Sequence, residues 1–377
     1  MQNFSLRMPV SLKFGRGICT EALRSESLLY GNRVLIVSTG KTLKRFGYID
    51  MIKAVLEDMK ASVLVYDKVK PNPDLKEVKE AVELGREFGA KVVLGFGGGS
   101  SLDAAKAVSC GLACRKDIGF YYFNDLEPEA SLPVIAIPTT AGTGSELSMG
   151  AIISDKASGI KKGIRGSMLY PELAIIDSFF TEHIPYKLTM ETGFDVFAHA
   201  LESFISLKAN AFSEMLSLEA IRLVGENLMR LADSLDDREA REKMSYASMI
   251  MGINLANVGT ALPHRMQYPV GAFSGTSHSA GLLALYPAWL EVEYRYSGSK
   301  IDAAASILSG KTCIGERQSI SVFMSFINRL EVRQTLKELG IDDTDALAEK
   351  VSGNMKNDPA YVEEGIVRKI YRKALIS

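Results

Sequence analysis

The sequence predicts two domains: a Rossmann-like α/β domain over residues 1–184 and an all-helical domain over residues 185–377. Three observations support this prediction. The chain has 377 residues, enough for two domains of about 150 residues each. In its first half, short apolar runs alternate with helical patterns, which is typical of a parallel sheet covered by helices on both faces. After Pro185, strand-like runs almost disappear, and Leu, Met, Ala and Phe recur at helical spacing.

Four short apolar runs, rich in β-branched residues, predict the strands of the first domain at residues 33–37, 61–66, 91–96 and 133–137. A helical pattern occupies most of the segment between the first two strands, to about Lys60. Asp74 follows a turn and is a suitable N-cap for the next helix. A further helix is expected from about Ser101. Alternation of this kind predicts a doubly wound sheet.

The second half carries three long helical patterns, at residues 188–208, 213–231 and 238–255, and shorter helices follow to residue 377. The change from strands to helices falls near residues 183–187, where Pro185 interrupts the pattern. The sequence contains no internal repeat and no low-complexity tract. We therefore expect one boundary between two domains of different architecture.

Charge and hydropathy exclude several classes of partner. The 44 basic and 45 acidic residues nearly cancel, so there is no electrostatic reason to expect a nucleic acid or an anionic membrane, and a small neutral substrate fits the balance. The longest apolar stretch, at residues 280–290, is shorter than the ~18 residues of a membrane span.

Location and redox state are predicted from the first residues and the cysteines. Residues 1–7 do not resemble a secretory signal. We expect a cytoplasmic protein with free thiols at its four irregularly spaced cysteines, Cys19, Cys110, Cys114 and Cys313.

Two loops at strand ends indicate a nucleotide site. The first, GFGGGSSLD at residues 95–103, joins the third strand to a helix; its glycines let a pyrophosphate approach the backbone, and the helix start attracts negative charge. Ser100 stands where the G-x-G-x-x-G fingerprint has its last glycine, so this loop alone could be a tight turn. The second, PTTAGTGSE at residues 138–146, could be a helix-capping loop. Together, after neighbouring strands, they favour phosphate or nucleotide binding.

Histidine is scarce, which narrows any metal site. The chain has only His183, His199, His264 and His278. Asp195 and His199 are four residues apart and share one face of a predicted helix, although such a pair could be a plain hydrogen bond. With His264 and His278 they form one carboxylate and three imidazoles, a ligand set suited to Fe²⁺ or Zn²⁺. His183, beside Pro185, is expected to be structural.

These motifs resemble those of the iron-containing alcohol dehydrogenase family. The resemblance is carried by GGGSSLD at 97–103, PTTAGTGSE at 138–146, DVFAHALE at 195–202, and by His264 and His278, fourteen residues apart. It extends over nearly the whole chain, from Phe14 to residues 370–374. It implies the fold predicted above, with a cleft that holds a nicotinamide cofactor and a metal. Family membership also implies a homodimer or a larger homo-oligomer.

The resemblance assigns roles residue by residue. It implies that the metal ligands are Asp195, His199, His264 and His278, and that the cofactor pyrophosphate lies on Gly97, Gly98, Gly99 and Ser100. Other parts of the dinucleotide would contact Asn72, Asp103, Thr139, Thr140 and Thr143. Either Lys161 or Lys162 matches a ribose-contacting lysine of the family.

The chain also departs from the family pattern. Tyr268 stands where many members carry a second histidine, and a phenol can still donate a hydrogen bond there; Ser279 replaces the usual glycine after the fourth ligand. After the first predicted strand, members that prefer NAD often have a carboxylate. This chain has Gly40 and Lys41, which favours NADP because no carboxylate would repel the 2′-phosphate. The alternative is that Gly40 serves a turn and Lys41 is merely solvated.

The implied reaction is reversible hydride transfer between a small alcohol or aldehyde and NAD(P), with the metal as a Lewis acid. The proton could leave through water, a cofactor hydroxyl or Tyr268, and Phe197 and Phe273 are candidates for contact with the substrate. A zinc-bound polyol dehydrogenase of the glycerol type is a near alternative. A dehydroquinate synthase-like lyase would require clustered cations, of which the segment between the ligands offers Arg265. A non-catalytic nucleotide-binding protein would predict an incomplete ligand set.

Overall fold

The computed structural model describes residues 3–26 and 29–376. Met1, Gln2 and Ser377, at the outer ends of the two predicted domains, lie outside the described residues. The chain forms two compact units, one of residues 8–183 and one of residues 184–376 together with residues 3–7. In the second unit, the backbone N–H of Arg7 donates to the side chain of Asn257 at 2.8 Å, so the N-terminal segment groups with the helices.

A six-stranded parallel sheet forms the centre of the first unit, with the order β1-β8-β5-β4-β2-β3. Strands β2 to β5 confirm the four predicted strands to within about one residue. A separate two-stranded antiparallel hairpin is made by β6 and β7. The strands are β1 Ser11–Gly15, β2 Arg33–Ser38, β3 Ser62–Tyr66, β4 Val92–Gly97, β5 Val134–Pro138, β6 Gly150–Asp155, β7 Ile160–Arg165 and β8 Leu173–Asp177.

Helices cover both faces of this sheet, as the doubly wound prediction requires. Alternate residues of β2 point to opposite faces: Leu35 packs in the cluster that includes α4 and α5, and Ile36 packs in the cluster that includes α1 and α3. Both side chains are fully buried. The helices of this unit are α1 Cys19–Glu26, α2 Gly40–Arg45, α3 Tyr48–Asp58, α4 Leu75–Phe88, α5 Gly99–Ala113 and α6 Ile118–Asn124.

The structure differs from the sequence prediction in two places. The single helical pattern to about Lys60 is two helices, because Gly47 adopts a left-handed conformation with φ 71° between α2 and α3. Strands β1, β6, β7 and β8 were not predicted. Both β1 and β7 are only partly buried, and their lysines interrupt the apolar pattern that identified the other strands.

The second unit is helical within the residues described. Its first three helices confirm the three long predicted patterns with ends shifted by three residues or fewer, and α7 is buried along most of its length. The helices are α7 Tyr186–Ile205, α8 Ala211–Asp233, α9 Arg238–Asn257, α10 Leu262–Ser274, α11 His278–Ser309, α12 Glu316–Arg329, α13 Thr344–Glu349 and α14 Ile366–Ala374. Across residues 3–26 and 29–376, no helix has the length and apolar character needed to cross a bilayer.

Asp74 caps α4, as the sequence predicts. Its carboxylate accepts from the backbone N–H of Lys76 at 2.8 Å, and Glu77 completes the capping box by accepting from the N–H of Asp74. The same carboxylate accepts from the N–H of Lys156 at 3.3 Å, in the turn between β6 and β7. One side chain therefore secures both the start of α4 and the hairpin.

Replacing Asp74 by Ala should lower the free energy of unfolding by about 1–2 kcal/mol, because the first turn of α4 loses its cap. Urea denaturation followed by circular dichroism measures the change. The matched control is Asp74→Asn, which keeps an acceptor at the cap and should recover most of the loss. An alanine variant with the denaturation midpoint of the wild type would contradict this account of the helix start.

Candidate metal centre and cofactor-binding loops

Asp195 and His199 lie one turn apart on the buried helix α7, so their side chains point to the same side. Gly193, two residues earlier, lets this helix pack closely, because a Cβ there would lie 2.4–3.1 Å from the side chain of Leu228 on α8. A larger residue at position 193 would therefore displace the side chain of Leu228. The pair is thus placed on a helix that cannot easily shift.

The other two imidazoles come from the starts of two helices. His264 is the third residue of α10, which begins with Pro263 in its first turn. His278 is the first residue of α11, whose N-cap Ser277 accepts from the N–H of Ala280 at 3.2 Å. The first turn of a helix thus places each of these two imidazoles, and an imidazole binds a metal in its neutral form.

The three imidazoles converge on one carboxylate oxygen. The distances from Asp195 Oδ1 to the Nε2 atoms of the three histidines are 3.6 Å for His199, 3.5 Å for His264 and 3.5 Å for His278. Ligand atoms about 2.1 Å from a tetrahedral metal are about 3.4 Å from one another. The ligand atoms of Asp195, His199 and His264 all lie within 4.8 Å of one another, close enough to share one cation. His278 approaches the same oxygen of Asp195.

Burial supports this interpretation. Asp195 Oδ1 and His264 Nε2 are buried and make no hydrogen bond within the described structure, although buried polar atoms are nearly always paired. A cation between them would satisfy both. The side chains of Asp195, His199 and His264 are 3–6% exposed, whereas that of His278 is 27% exposed. The cluster is thus most accessible to solvent at His278.

Two further residues orient the imidazoles. Glu202 Oε1 lies 2.7 Å from Nδ1 of His264, and Gln267 Oε1 lies 2.6 Å from Nδ1 of His278. An acceptor at Nδ1 keeps the proton there and leaves Nε2 free to bind a metal. The other oxygen of Glu202 accepts from the N–H of Ala261 at 2.8 Å. Sequence reasoning assigned no role to these two residues, although Glu202 follows Asp195 by two helical turns.

The charges of the cluster favour a cation. Burial by itself would raise the pKa of Asp195, but the imidazoles of His199, His278 and His264 together outweigh it and hold that pKa well below its ordinary value. Burial by itself would lower the pKa of His264, but the carboxylates of Glu202 and Asp195 outweigh it and raise that pKa to about 10. Two buried carboxylates thus attract positive charge to the imidazoles, and a metal ion supplies it.

In the first unit, the two predicted nucleotide loops lie against each other. A Cβ on Gly98 would be 3.2 Å from Thr140 Oγ1, and a Cβ on Gly99 would be 2.6 Å from Thr143 Cγ2. The N–H of Thr139 donates to the carbonyl of Gly97 at 2.9 Å. Gly98 is the N-cap of α5, so the loops place hydroxyls beside a helix N-terminus, which is suited to phosphate.

A buried lysine holds the threonine loop. Lys106, 1% exposed, donates to the carbonyl and the hydroxyl of Ser145 at 3.0 and 2.7 Å, and lies 3.2 Å from Asp103 Oδ1. Asp103 also accepts from the hydroxyl of Ser145 at 2.5 Å and the N–H of Ile152 at 2.9 Å. The carboxylate of Asp103 is therefore engaged within the fold, and its contact with a dinucleotide stays a prediction.

Other predicted cofactor residues meet in pairs. Nζ of Lys161 donates to the side-chain oxygen of Asn72 at 2.7 Å, whereas Lys162 pairs with Asp125. At the end of β2, a Cβ on Gly40 would overlap the backbone oxygen of Asp67. The side-chain carboxylate of Asp67 therefore lies near Gly40. Sequence reasoning overlooked it, because Asp67 follows the adjacent strand β3 rather than β2.

The remaining predicted residues have diverse surroundings. The half-buried Tyr268 lies with its ring centre 6.4 Å from that of His278. Phe197 is fully buried among aromatic rings that include Phe323 at 5.7 Å, so its suggested contact with substrate is wrong; Phe273 is 66% exposed. His183 stacks on Phe46 at 4.9 Å, in keeping with its expected structural role.

Known proteins resemble both units. The family model of the iron-containing alcohol dehydrogenases matches residues 9–178, and the family model of their C-terminal part matches residues 189–375. A sulfoacetaldehyde reductase of Bilophila wadsworthia is 29% identical, covering 89% of each chain. An NADPH-dependent butanol dehydrogenase of Clostridium saccharobutylicum is 27% identical, covering 98% of this chain and 97% of its own. The crystal structure of an iron-containing alcohol dehydrogenase of Thermotoga maritima is 30% identical, with a TM-score of 0.85, and covers 100% of both chains.

Replacing Glu202 by Gln should weaken metal binding about 10–100-fold, because the neutral amide is a poorer partner for Nδ1 of His264 than a carboxylate. Competition with a chromogenic chelator measures the affinity. Glu219→Gln, on the solvent side of α8, is the matched control and should bind metal as the wild type does. Equal affinities for Glu202→Gln and the wild type would show that Glu202 does not support the metal.

Proposed function

The chain belongs to the iron-containing alcohol dehydrogenase family, and we propose that Asp195, His199, His264 and His278 hold the metal with which it interconverts small alcohols and aldehydes. The convergence of the three imidazoles on Asp195 Oδ1, all within 3.6 Å, is the observation that carries this proposal. The second substrate is a nicotinamide dinucleotide that takes up or supplies the hydride. The glycine and threonine loops of the first unit would bind its phosphates.

The metal would be Fe²⁺ or Zn²⁺, since both accept imidazole and carboxylate ligands. When bound, such a cation polarises the oxygen of an alcohol or a carbonyl as a Lewis acid. Asp195 provides the negative ligand, and Glu202 and Gln267 keep two imidazoles in the tautomer that binds metal. The partial exposure of His278 leaves the substrate an approach on that side. We favour Fe²⁺ because the family is iron-containing.

Tyr268 is the candidate to hold the proton that an alcohol releases. Its hydroxyl accepts a hydrogen bond from Nη1 of Arg265 at 3.1 Å, and its ring lies beside His278, the exposed imidazole. Water and a cofactor hydroxyl are the other routes.

NADP is the proposed cofactor. Lys41 and Lys68 are exposed at the carboxyl ends of β2 and β3, where the adenosine ribose binds in Rossmann-like folds. Asp67, which also follows β3, would repel a 2′-phosphate, and the charges of Lys41 and Lys68 would oppose that repulsion. The related Clostridium protein is described as NADPH-dependent, which supports the same choice.

The alternatives have less support. A lyase acting on a phosphorylated acid would need several cations around the metal, and α10 provides only Arg265 near the ligands within the described part of the chain. A non-catalytic protein would not need four converging ligand atoms. A zinc-bound polyol dehydrogenase is the nearest alternative, because oxidation of a glycol belongs to the same reaction class.

Replacing Asp195 or His264 by Ala should remove the bound metal and reduce turnover at least a thousandfold, since the ligand set is then incomplete. Metal content by mass spectrometry and aldehyde reduction by NADPH oxidation are measured on the same samples. His183→Ala, which alters the one histidine outside the cluster, should keep its metal. If Asp195→Ala retained a full complement of iron or zinc, the assignment would be wrong.

Replacing Lys41 by Ala should raise the KM for NADPH about tenfold, while the KM for NADH changes little. The expected increase corresponds to the free energy of one charge-assisted hydrogen bond to the 2′-phosphate. Initial rates with both cofactors and one aldehyde are the measurement. Lys44→Ala, on the last turn of the same short helix, is the control and should affect neither cofactor. A wild-type enzyme that clearly prefers NADH would refute the choice of NADP.

A further inference from the structure

Among the residues that the structure describes, the buried cation of Arg265 has no carboxylate partner. Its side chain belongs to a residue that is 7% exposed, directly after His264 on α10. Nη1 donates to the hydroxyl of Tyr268 at 3.1 Å and Nη2 donates to the hydroxyl of Thr260 at 3.2 Å, while Nε has no partner in the described structure. A guanidinium has five N–H donors, so three stay unused and both acceptors are neutral.

Arg241, another buried arginine of the same unit, shows the contrast. It is 3% exposed, and each of its three nitrogens donates: Nε to the carbonyl of Leu235, Nη1 to Thr189 Oγ1 and Nη2 to the carbonyl of Ile184, at 2.9–3.1 Å. Burying a cation is costly unless it is paired or fully hydrogen-bonded. All three nitrogens of Arg241 donate within the fold, whereas Nε of Arg265 does not.

The neighbours of Arg265 indicate that its guanidinium contacts substrate rather than packing in the core. Its guanidinium lies over the ring of Tyr268, with 5.7 Å from Cζ to the ring centre. Tyr268 in turn lies beside His278, on the exposed side of the imidazole cluster. On its other side, the stem of Arg265 is covered by the backbone near Gly353, where a Cβ would be 3.2 Å from Cδ. The stem is therefore held in place.

We propose that Arg265 pairs with an anionic group at the far end of the substrate, so that the enzyme prefers short aldehydes and alcohols carrying a carboxylate or sulfonate. This inference rests on the proposed function, because the carbonyl end of the same molecule must reach the metal ligands. A single guanidinium suits a single negative charge and forms two parallel hydrogen bonds with a carboxylate or sulfonate. The chain's net charge of -1 favoured a neutral substrate, but the local charge beside the site decides recognition.

Three aldehydes of matched shape test the proposal. Butanal, 4-oxobutanoate and 3-oxopropane-1-sulfonate share an unbranched aldehyde chain and end in a methyl, a carboxylate and a sulfonate. The holoenzyme should reduce at least one anionic aldehyde with a kcat/KM at least ten times that for butanal. The two anionic arms decide between carboxylate and sulfonate recognition.

Arg265→Met removes the charge and keeps much of the volume. The ratio of kcat/KM for the preferred anionic aldehyde to that for butanal should fall about 30-fold. A loss of this size corresponds to the free energy of one hydrogen bond to a charged group. Arg265→Lys should lose less, since the charge remains. Arg241→Met controls for the loss of a buried arginine and should leave the ratio within twofold of the wild type. An unchanged ratio in Arg265→Met, or a wild type that prefers butanal, would overturn the proposal.

Binding is measured separately from turnover. Calorimetry should detect binding of 4-hydroxybutanoate or 3-hydroxypropane-1-sulfonate to the wild-type holoenzyme and at least tenfold weaker binding to Arg265→Met, with 1-butanol as the neutral control. If no aldehyde is reduced with any metal or cofactor, the proposed function fails, and calorimetry still decides whether Arg265 binds an anion. If Arg265→Met raises the KM for the cofactor and leaves the aldehyde ratio unchanged, the counter-ion is a cofactor phosphate and the proposal is wrong.

Discussion

The buried carboxylate of Asp195 is the constraint that organises the helical unit. A carboxylate at 2% exposure is unfavourable unless positive charge or hydrogen bonds compensate it. Here three Nε2 atoms from three different helices approach one of its oxygens. Helices α7, α10 and α11 must therefore keep fixed relative positions, and their close packing over the buried face of α7 becomes a requirement of the chemistry.

Backbone capping meets much of this requirement. Glu202 accepts from the N–H of Ala261, and Asp358 accepts from the N–H of Leu262 at 3.0 Å, so two carboxylates hold the start of α10. Asp358 also accepts from the indole of Trp289 on α11 at 3.0 Å. The start of α10 is thereby tied to α7 and α11 by bonds that do not involve the imidazole of His264. The ligand is oriented by its helix before any cation binds.

The sequence predicted what periodicity and spacing encode. Apolar runs identified strands β2 to β5, and a spacing of four residues placed Asp195 and His199 on one face of a helix. Spacing could not place His264 and His278 beside them, because both lie on other helices; the scarcity of histidine and the family resemblance supplied that expectation. The roles of Glu202 and Gln267 depend on hydrogen bonds between helices, and the proximity of Asp67 to Gly40 depends on strand order. Neither property is present in a local pattern.

Packing, as well as phosphate binding, can explain a glycine of the glycine-rich loop at residues 95–103. Sequence reasoning assigned the glycines to phosphate approach, yet a side chain on Gly99 would also collide with Thr143 at 2.6 Å. The second loop thus needs a glycine at this position whether or not a nucleotide binds. Lys106 and Asp103 hold the same threonine loop from its buried side. Since packing alone explains Gly99, phosphate binding is better argued from the N-terminus of α5, where Gly98 and Ser100 are partly exposed.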